Sequence, residues 1–164
     1  MLREKDMLDR LGAGLKLPPL VINITRRLPS AGARSGPDAL AEAIWGKRRL
    51  RFIAELKTLG TPRTLRSAII QAKEYAAHER RLPLVIVPYL SPEGLGTLEA
   101  AAVSGADLCG NGIICVPDRI LVVRSGRPNL FPLSDKIKNV YSGDTSIVAR
   151  AFLLRAAQLV AGQL

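Results

Sequence analysis

Apolar residues recur along the chain at two periods, and the switches between them mark out its elements. Leu2, Leu8, Leu11 and Leu15 fall near one face of a helix whose end Gly12 and Gly14 weaken, which predicts a short amphipathic helix at residues 2–15. The β-branched run Leu20-Val21-Ile22-Asn23-Ile24-Thr25 predicts a strand, and the Ser-, Gly- and Ala-rich stretch at 29–37 predicts a loop. Two further strands are expected at 39–45 and 49–56, joined by Gly46-Lys47, a pair suited to a two-residue type II′ turn. Thr61-Pro62 supplies a cap and a first-turn proline for a helix reaching about residue 80, with Leu65, Ile69, Ala72 and Ala76 on its buried face. A strand at 84–89 follows, then a helix opened by Ser91-Pro92-Glu93 and ending near Gly105. Strands at 106–109 and 113–116 flank an Asn111-Gly112 turn, and a last strand covers 120–124. Residues 128–143 read as loop and 147–160 as an apolar helix, which either packs on this domain or opens another.

The first hairpin makes part of the chemistry derivable. A two-residue turn sets Trp45 opposite Arg48 and, counting outward, Glu42 opposite Arg51 and Asp38 opposite Glu55. Opposed residues on one face have Cβ atoms about 4.5–5.5 Å apart, so two carboxylates there repel unless a cation offsets them. Strand alternation puts Lys57 on the face of Glu55, and Leu56 on the other face with Phe52 and Ala54. The Glu42–Arg51 pair is favourable and supports the same register. Asp38 and Glu55 suit a hard cation, Mg²⁺ or Mn²⁺, which keeps several waters, one of them a nucleophile for phosphodiester hydrolysis. Lys57 would orient and help deprotonate that water, or steady the charge developing on the phosphate; the residues leave both roles open. They also leave open a plainer alternative, in which Asp38 ends a loop after Pro37 and Glu55 and Lys57 decorate an exposed strand face. Trp45, on the face opposite Asp38 with Ala39, Ala41 and Ala43, is expected to be a packing anchor.

Charge adds a partner to this picture. Lys and Arg number 24 against 14 Asp and Glu, a formal net charge of +10, which points to a polyanion bound with strong salt dependence through counterion release. A solvated basic surface is the competing reading. Arg26, Arg27, Arg34, Lys47, Arg48, Arg49, Arg63, Arg66 and Lys73 are the candidates to track a phosphate backbone. Three Tyr, three Phe and one Trp leave little material for stacking bases, which favours duplex contact over single-strand platforms. Gly110, Asn111 and Gly112 could form an anion nest, against which stands the simpler hairpin turn. Cys109, Cys115 and His78 are too few for a zinc site, and two free thiols suit a reducing cytoplasm. His78 itself falls at a solvated helix end. The charged N-terminal stretch is expected to be neither signal peptide nor membrane span.

Pro37-Asp38 followed, after sixteen residues, by Glu55-Leu56-Lys57 resembles the PD-(D/E)xK nuclease signature. Gln71 and Tyr75, one turn apart on the next helix, resemble the third motif of the RecB-like branch of that superfamily. The resemblance implies an α/β fold of the restriction-endonuclease-like kind, a mixed central β-sheet flanked by helices, over residues 1–127. It also implies a Mg²⁺-dependent nuclease hydrolysing DNA, with RNA left open. By resemblance Asp38, Glu55 and the Leu56 carbonyl hold metal and Lys57 assists the water. Gln71 positions the lysine or the substrate, and Tyr75 faces DNA or packs. The run 82–92 and Asp107-Leu108-Cys109-Gly110-Asn111-Gly112 look like bacterial proteins that join such a domain to a C-terminal winged helix. Residues 128–164 would then be a linker and the start of that second domain. The alternatives are a catalytically silent DNA-binding or regulatory module, and an interaction scaffold whose apolar C-terminal helix makes a homodimer.

Overall fold

The computed structural model describes residues 2–26 and 36–132. The chain parts into two units after Phe131, and every element below belongs to the first. Arg27, Arg34 and the side chain of Arg26, the expected helix at 147–160 and, of the expected linker and second-domain start at 128–164, everything after residue 132 lie outside the described residues.

The protein is mixed α/β. Three helices, α1 (Glu4–Leu11), α2 (Pro62–Glu79) and α3 (Pro92–Ala100), accompany eight strands: β1 (Leu15–Leu17), β2 (Leu20–Arg26), β3 (Ala39–Trp45), β4 (Arg48–Leu56), β5 (Leu82–Val87), β6 (Ser104–Asp107), β7 (Gly112–Val116) and β8 (Ile120–Arg124). The strands form one sheet in chain order. Neighbours run antiparallel except β4–β5 and β5–β6, which are parallel. Parallel neighbours need crossovers, and α2 and α3 supply them.

The hairpin register follows from its turn. Trp45 pairs with Arg48, Glu42 with Arg51 and Ala39 with Ala54, and Gly46 alone of the two turn residues has positive φ, at 57°, as a type II′ turn requires. Alternation then divides the core in two. Ala39, Ala41, Ala43, Phe52, Ala54 and Leu56 face one way, where small alanines leave room for Met7 and Leu11 of α1. Val85, Val87 and Ile113 face the other way, against Leu65, Ala68, Ile69 and Ala72 of α2 and Leu95 and Leu98 of α3.

The sheet also curls. Leu17 shares the α1-side core with Ile114 and Val116, and Arg124 Nε donates to the Pro18 carbonyl at 2.7 Å, so the β1–β2 hairpin reaches the β7–β8 hairpin although the two stand at opposite edges. Right-handed strand twist accumulated over eight strands produces this approach.

Several boundaries differ from the sequence expectation. The opening helix stops at Leu11 rather than residue 15, because Gly14, at φ 77°, turns the chain into a three-residue strand, β1, that the helical pattern hid. α3 ends at Ala100, short of Gly105; Ala102 takes φ 51°, and Ser104 and Gly105 already belong to β6. β5 covers Leu82–Val87 instead of 84–89, since its parallel register begins with Phe52 against Leu82. The β6–β7 connection is four residues, Leu108–Asn111, not an Asn-Gly turn: Gly110 carries the positive φ, 96°, and Gly112 is already in β7. Trp45 is 44% exposed, not a packing anchor, because it stands at the hairpin tip beyond the last buried alanine, Ala43.

Candidate active site

Asp38 stands one residue before β3, and its Oδ2 accepts the Leu56 amide at 2.7 Å. The carboxylate thus continues the β3–β4 ladder with a side chain in place of a backbone carbonyl, rather than opposing Glu55 within the ladder. N–H and C=O of one strand residue point to the same neighbour, so the Leu56 carbonyl faces the Asp38 side as well. Lys57 faces the other way along the backbone, donating its amide to the Ile86 carbonyl at 2.9 Å.

Glu55 pairs with Val85 across the parallel ladder and therefore lies on the α2 side of the sheet. It is 4% exposed. Lys57 Nζ donates to Glu55 Oε1 at 2.7 Å, which fits the alternation that puts both side chains on one face. Oε2 of Glu55 is buried without a hydrogen-bond partner among the described residues. Burial pushes the Glu55 carboxyl above the ordinary carboxylate range; the ammonium of Lys57 opposes this and the charge of Asp38 adds to it. A buried, orphaned carboxylate oxygen beside a second carboxylate is a site a cation would satisfy, so the residues fit a hard divalent ion. Two carboxylates are fewer than a self-sufficient protein cage needs. Among the described residues no group of three or more His, Cys, Asp or Glu side chains could hold a metal.

Gln71 lies on α2, the helix that packs on β4 and β5. Its amide oxygen is the other buried side-chain acceptor with no partner among the described residues, and Tyr75, one turn on, is half-buried. Arg63, Arg66 and Lys73 are exposed, and with exposed Ile70 they form an outward stripe at helical spacing. Lys47 and Arg48 are exposed at the other end of the hairpin. Arg48 stands seven positions before Glu55 along β4, about 23 Å away. Arg49 is spent on Glu42, at 2.9 Å, with Arg51 further off at 3.9 Å. The structure therefore gathers Asp38, Glu55, Leu56 and Lys57, lays Gln71 and Tyr75 on the helix covering that face, and sends Lys47 and Arg48 elsewhere.

One polar assembly was not legible beforehand. Asp107 is fully buried, and its two oxygens accept from the amides of Leu90, Cys109 and Asn111 and from Asn111 Nδ2, at 2.7–2.8 Å. Asn111 in turn holds the main chain of Arg127. The Asp-x-x-x-Asn spacing around Gly110 was the available signal, and the Asn-Gly dipeptide masked it.

Among the described residues no helix is long and apolar enough to cross a membrane. Compared with known proteins, the chain matches no protein-family model and no curated protein.

Proposed function

We propose that this domain is a Mg²⁺-dependent nuclease module of the restriction-endonuclease-like kind, acting on the phosphodiester backbone of DNA. The observation that carries the reading is the convergence of Asp38, Glu55 and Lys57 at the paired ends of β3 and β4, with Glu55 Oε2 buried and without a partner among the described residues. Asp38, Glu55 and the Leu56 carbonyl would hold the cation. A bound Mg²⁺ supplies Lewis acidity toward a phosphodiester oxygen and acidifies a coordinated water. Lys57 keeps its ammonium within reach of that position and stabilises negative charge on the phosphate oxygens as it builds. Gln71 offers an amide oxygen to the lysine or the substrate from α2. The exposed Arg63, Arg66 and Lys73 neutralise flanking phosphates.

A second reading is favoured by one specific observation. Glu55 is 4% exposed and already paired with Lys57, an arrangement equally suited to a silent module that grips nucleic acid without cutting it. Calorimetric titration with Mg²⁺ or Mn²⁺, run on wild type and Asp38→Ala beside a plasmid-nicking assay, separates the two. Metal binding that disappears in Asp38→Ala, together with metal-dependent nicking, supports the nuclease. Nicking unchanged in Asp38→Ala, Glu55→Gln and Lys57→Ala removes this centre as its source, and absence of both binding and nicking leaves the silent module.

A further inference from the structure

A cleft lies where the curled sheet brings the β1–β2 turn against the end of β8. It encloses about 660 Å³ and is lined by Lys16, Arg124, Ser125 and Arg127 around Cys109 and Gly110, with no carboxylate among its lining residues. Lys16, Arg124 and Arg127 are all exposed along this cleft, and within the described residues no acidic side chain pairs with any of them.

The cleft is held by buried structure. Arg124 is anchored through Nε to the Pro18 carbonyl, which leaves the terminal guanidinium nitrogens as further donors. The amide of Arg127 donates to Asn111 Oδ1 at 2.8 Å, and its carbonyl accepts from Asn111 Nδ2 at 3.3 Å. Asn111 is itself fixed by the four-bonded Asp107. The stem of Arg127 passes over Gly110, with Cγ 3.7 Å from where a side chain would start. The segment after it is pinned as well: Leu130 donates to Cys109 Sγ, and Arg10 lies 5.2 Å from the Phe131 ring centroid. Burial and the neighbouring Asp107 push the Cys109 thiol up, so it brings no negative charge to the cleft near neutral pH. A chain segment outside any helix or strand is thus held by a buried Asp–Asn pair so that an arginine lines the same cleft as two other exposed cations, a surface suited to an anion.

We propose that this cleft binds a phosphate group, with Lys16 and Arg127 as the principal contacts and Arg124 and Ser125 completing the shell. The site does not depend on the acidic pair. Glu55 lies on the α2 side of the sheet, whereas a Cβ on Gly112, at the start of β7, would meet Leu17 on the α1 side. The phosphate is either a terminal monoester, as on a nucleotide, or a backbone diester.

Inorganic phosphate titrated into the chain at low ionic strength, followed by calorimetry, is expected to bind with a dissociation constant of roughly a millimolar. Lys16→Ala and Arg127→Ala should each weaken binding about tenfold with unchanged circular dichroism, because the Arg127 clamp uses main-chain atoms. Asp38→Ala should bind phosphate as wild type does, so that failure of the nuclease reading leaves this result standing. Displacement by an oligonucleotide lacking terminal phosphates identifies the diester as the ligand, and displacement only by a nucleoside 5′-monophosphate identifies the monoester. No phosphate binding by wild type up to tens of millimolar, or equal affinity in Lys16→Ala and Arg127→Ala, overturns the proposal.

Discussion

Glu55 concentrates the tension of this molecule in one side chain. Burial favours its neutral form, Lys57 favours the charged one, and burial is the larger effect. A carboxyl raised in the folded state stabilises fully below the ordinary carboxylate range, and that stabilisation is lost as pH rises through the raised value. Glu55→Gln keeps an amide oxygen for Lys57 and removes the charge. We therefore expect the variant to match wild type near pH 4 and to exceed it by about 1–3 kcal/mol above the titration, the scale of an unpartnered buried polar group. Urea melts across that pH range check this, and equal stabilities throughout would refute it. Under the nuclease reading, Mg²⁺ offsets that difference near neutral pH. At a hundredfold excess over its dissociation constant the ion should stabilise wild type by about 2.7 kcal/mol and the Gln variant by much less. A thermal-shift series with and without Mg²⁺ reads this directly, and an equal gain in both proteins places the metal elsewhere.

At the scale of elements, two hairpins show which features a sequence encodes locally. Gly46-Lys47 carried its own turn chemistry, and the register that followed placed Asp38 beside the end of β4 and Glu55 with Lys57 on one face. Asn111-Gly112 carried an equally plain signal and misled, because Asp107 offers Asn111 a buried carboxylate that outbids the two-residue turn. The Asp107-x-x-x-Asn111 spacing is the one local difference, and what gives it force, the burial of Asp107, is a property of the assembled sheet. β1 was missed for a related reason: three residues carry too little periodicity to outweigh the helix before them. Asn111→Ala should accordingly cost about 2–3 kcal/mol, since it removes a donor from buried Asp107 and frees the main chain of Arg127. It should also raise amide exchange at 127–131. An equilibrium melt indistinguishable from wild type would show the network to be dispensable. Gly60 sets a second constraint on these elements. A Cβ there would run into the Tyr89 carbonyl, so Gly60→Ala should cost about 1–3 kcal/mol by separating the loop after Lys57 from the one after β5.

At the scale of the folded unit, the positive charge of the described residues is distributed rather than gathered at one face. The outward stripe of α2 carries Arg63, Arg66 and Lys73, the hairpin tip Lys47 and Arg48, and the edge cleft Lys16, Arg124 and Arg127. A net charge of +10 raises the expectation of a polyanion partner from composition alone, but where the charges lie depends on the curl of the sheet, which joins strands far apart in sequence. Proximity to Asp38 and Glu55 ranks the patches for the proposed nuclease. α2 starts six residues after Leu56 and covers the face of Glu55, whereas the hairpin tip stands about 23 Å away along β4. Each phosphate neutralised contributes about 0.9 to the slope of log affinity against log salt concentration. The double variant Arg66→Ala/Lys73→Ala is thus expected to lower that slope by about 2 for a short DNA duplex, while Lys47→Ala/Arg48→Ala leaves it unchanged. Fluorescence anisotropy over a salt series measures both. The opposite ranking would put the duplex at the hairpin tip, where exposed Trp45, Arg48 and Arg119 line a cleft of about 380 Å³. It would also separate DNA binding from the acidic pair.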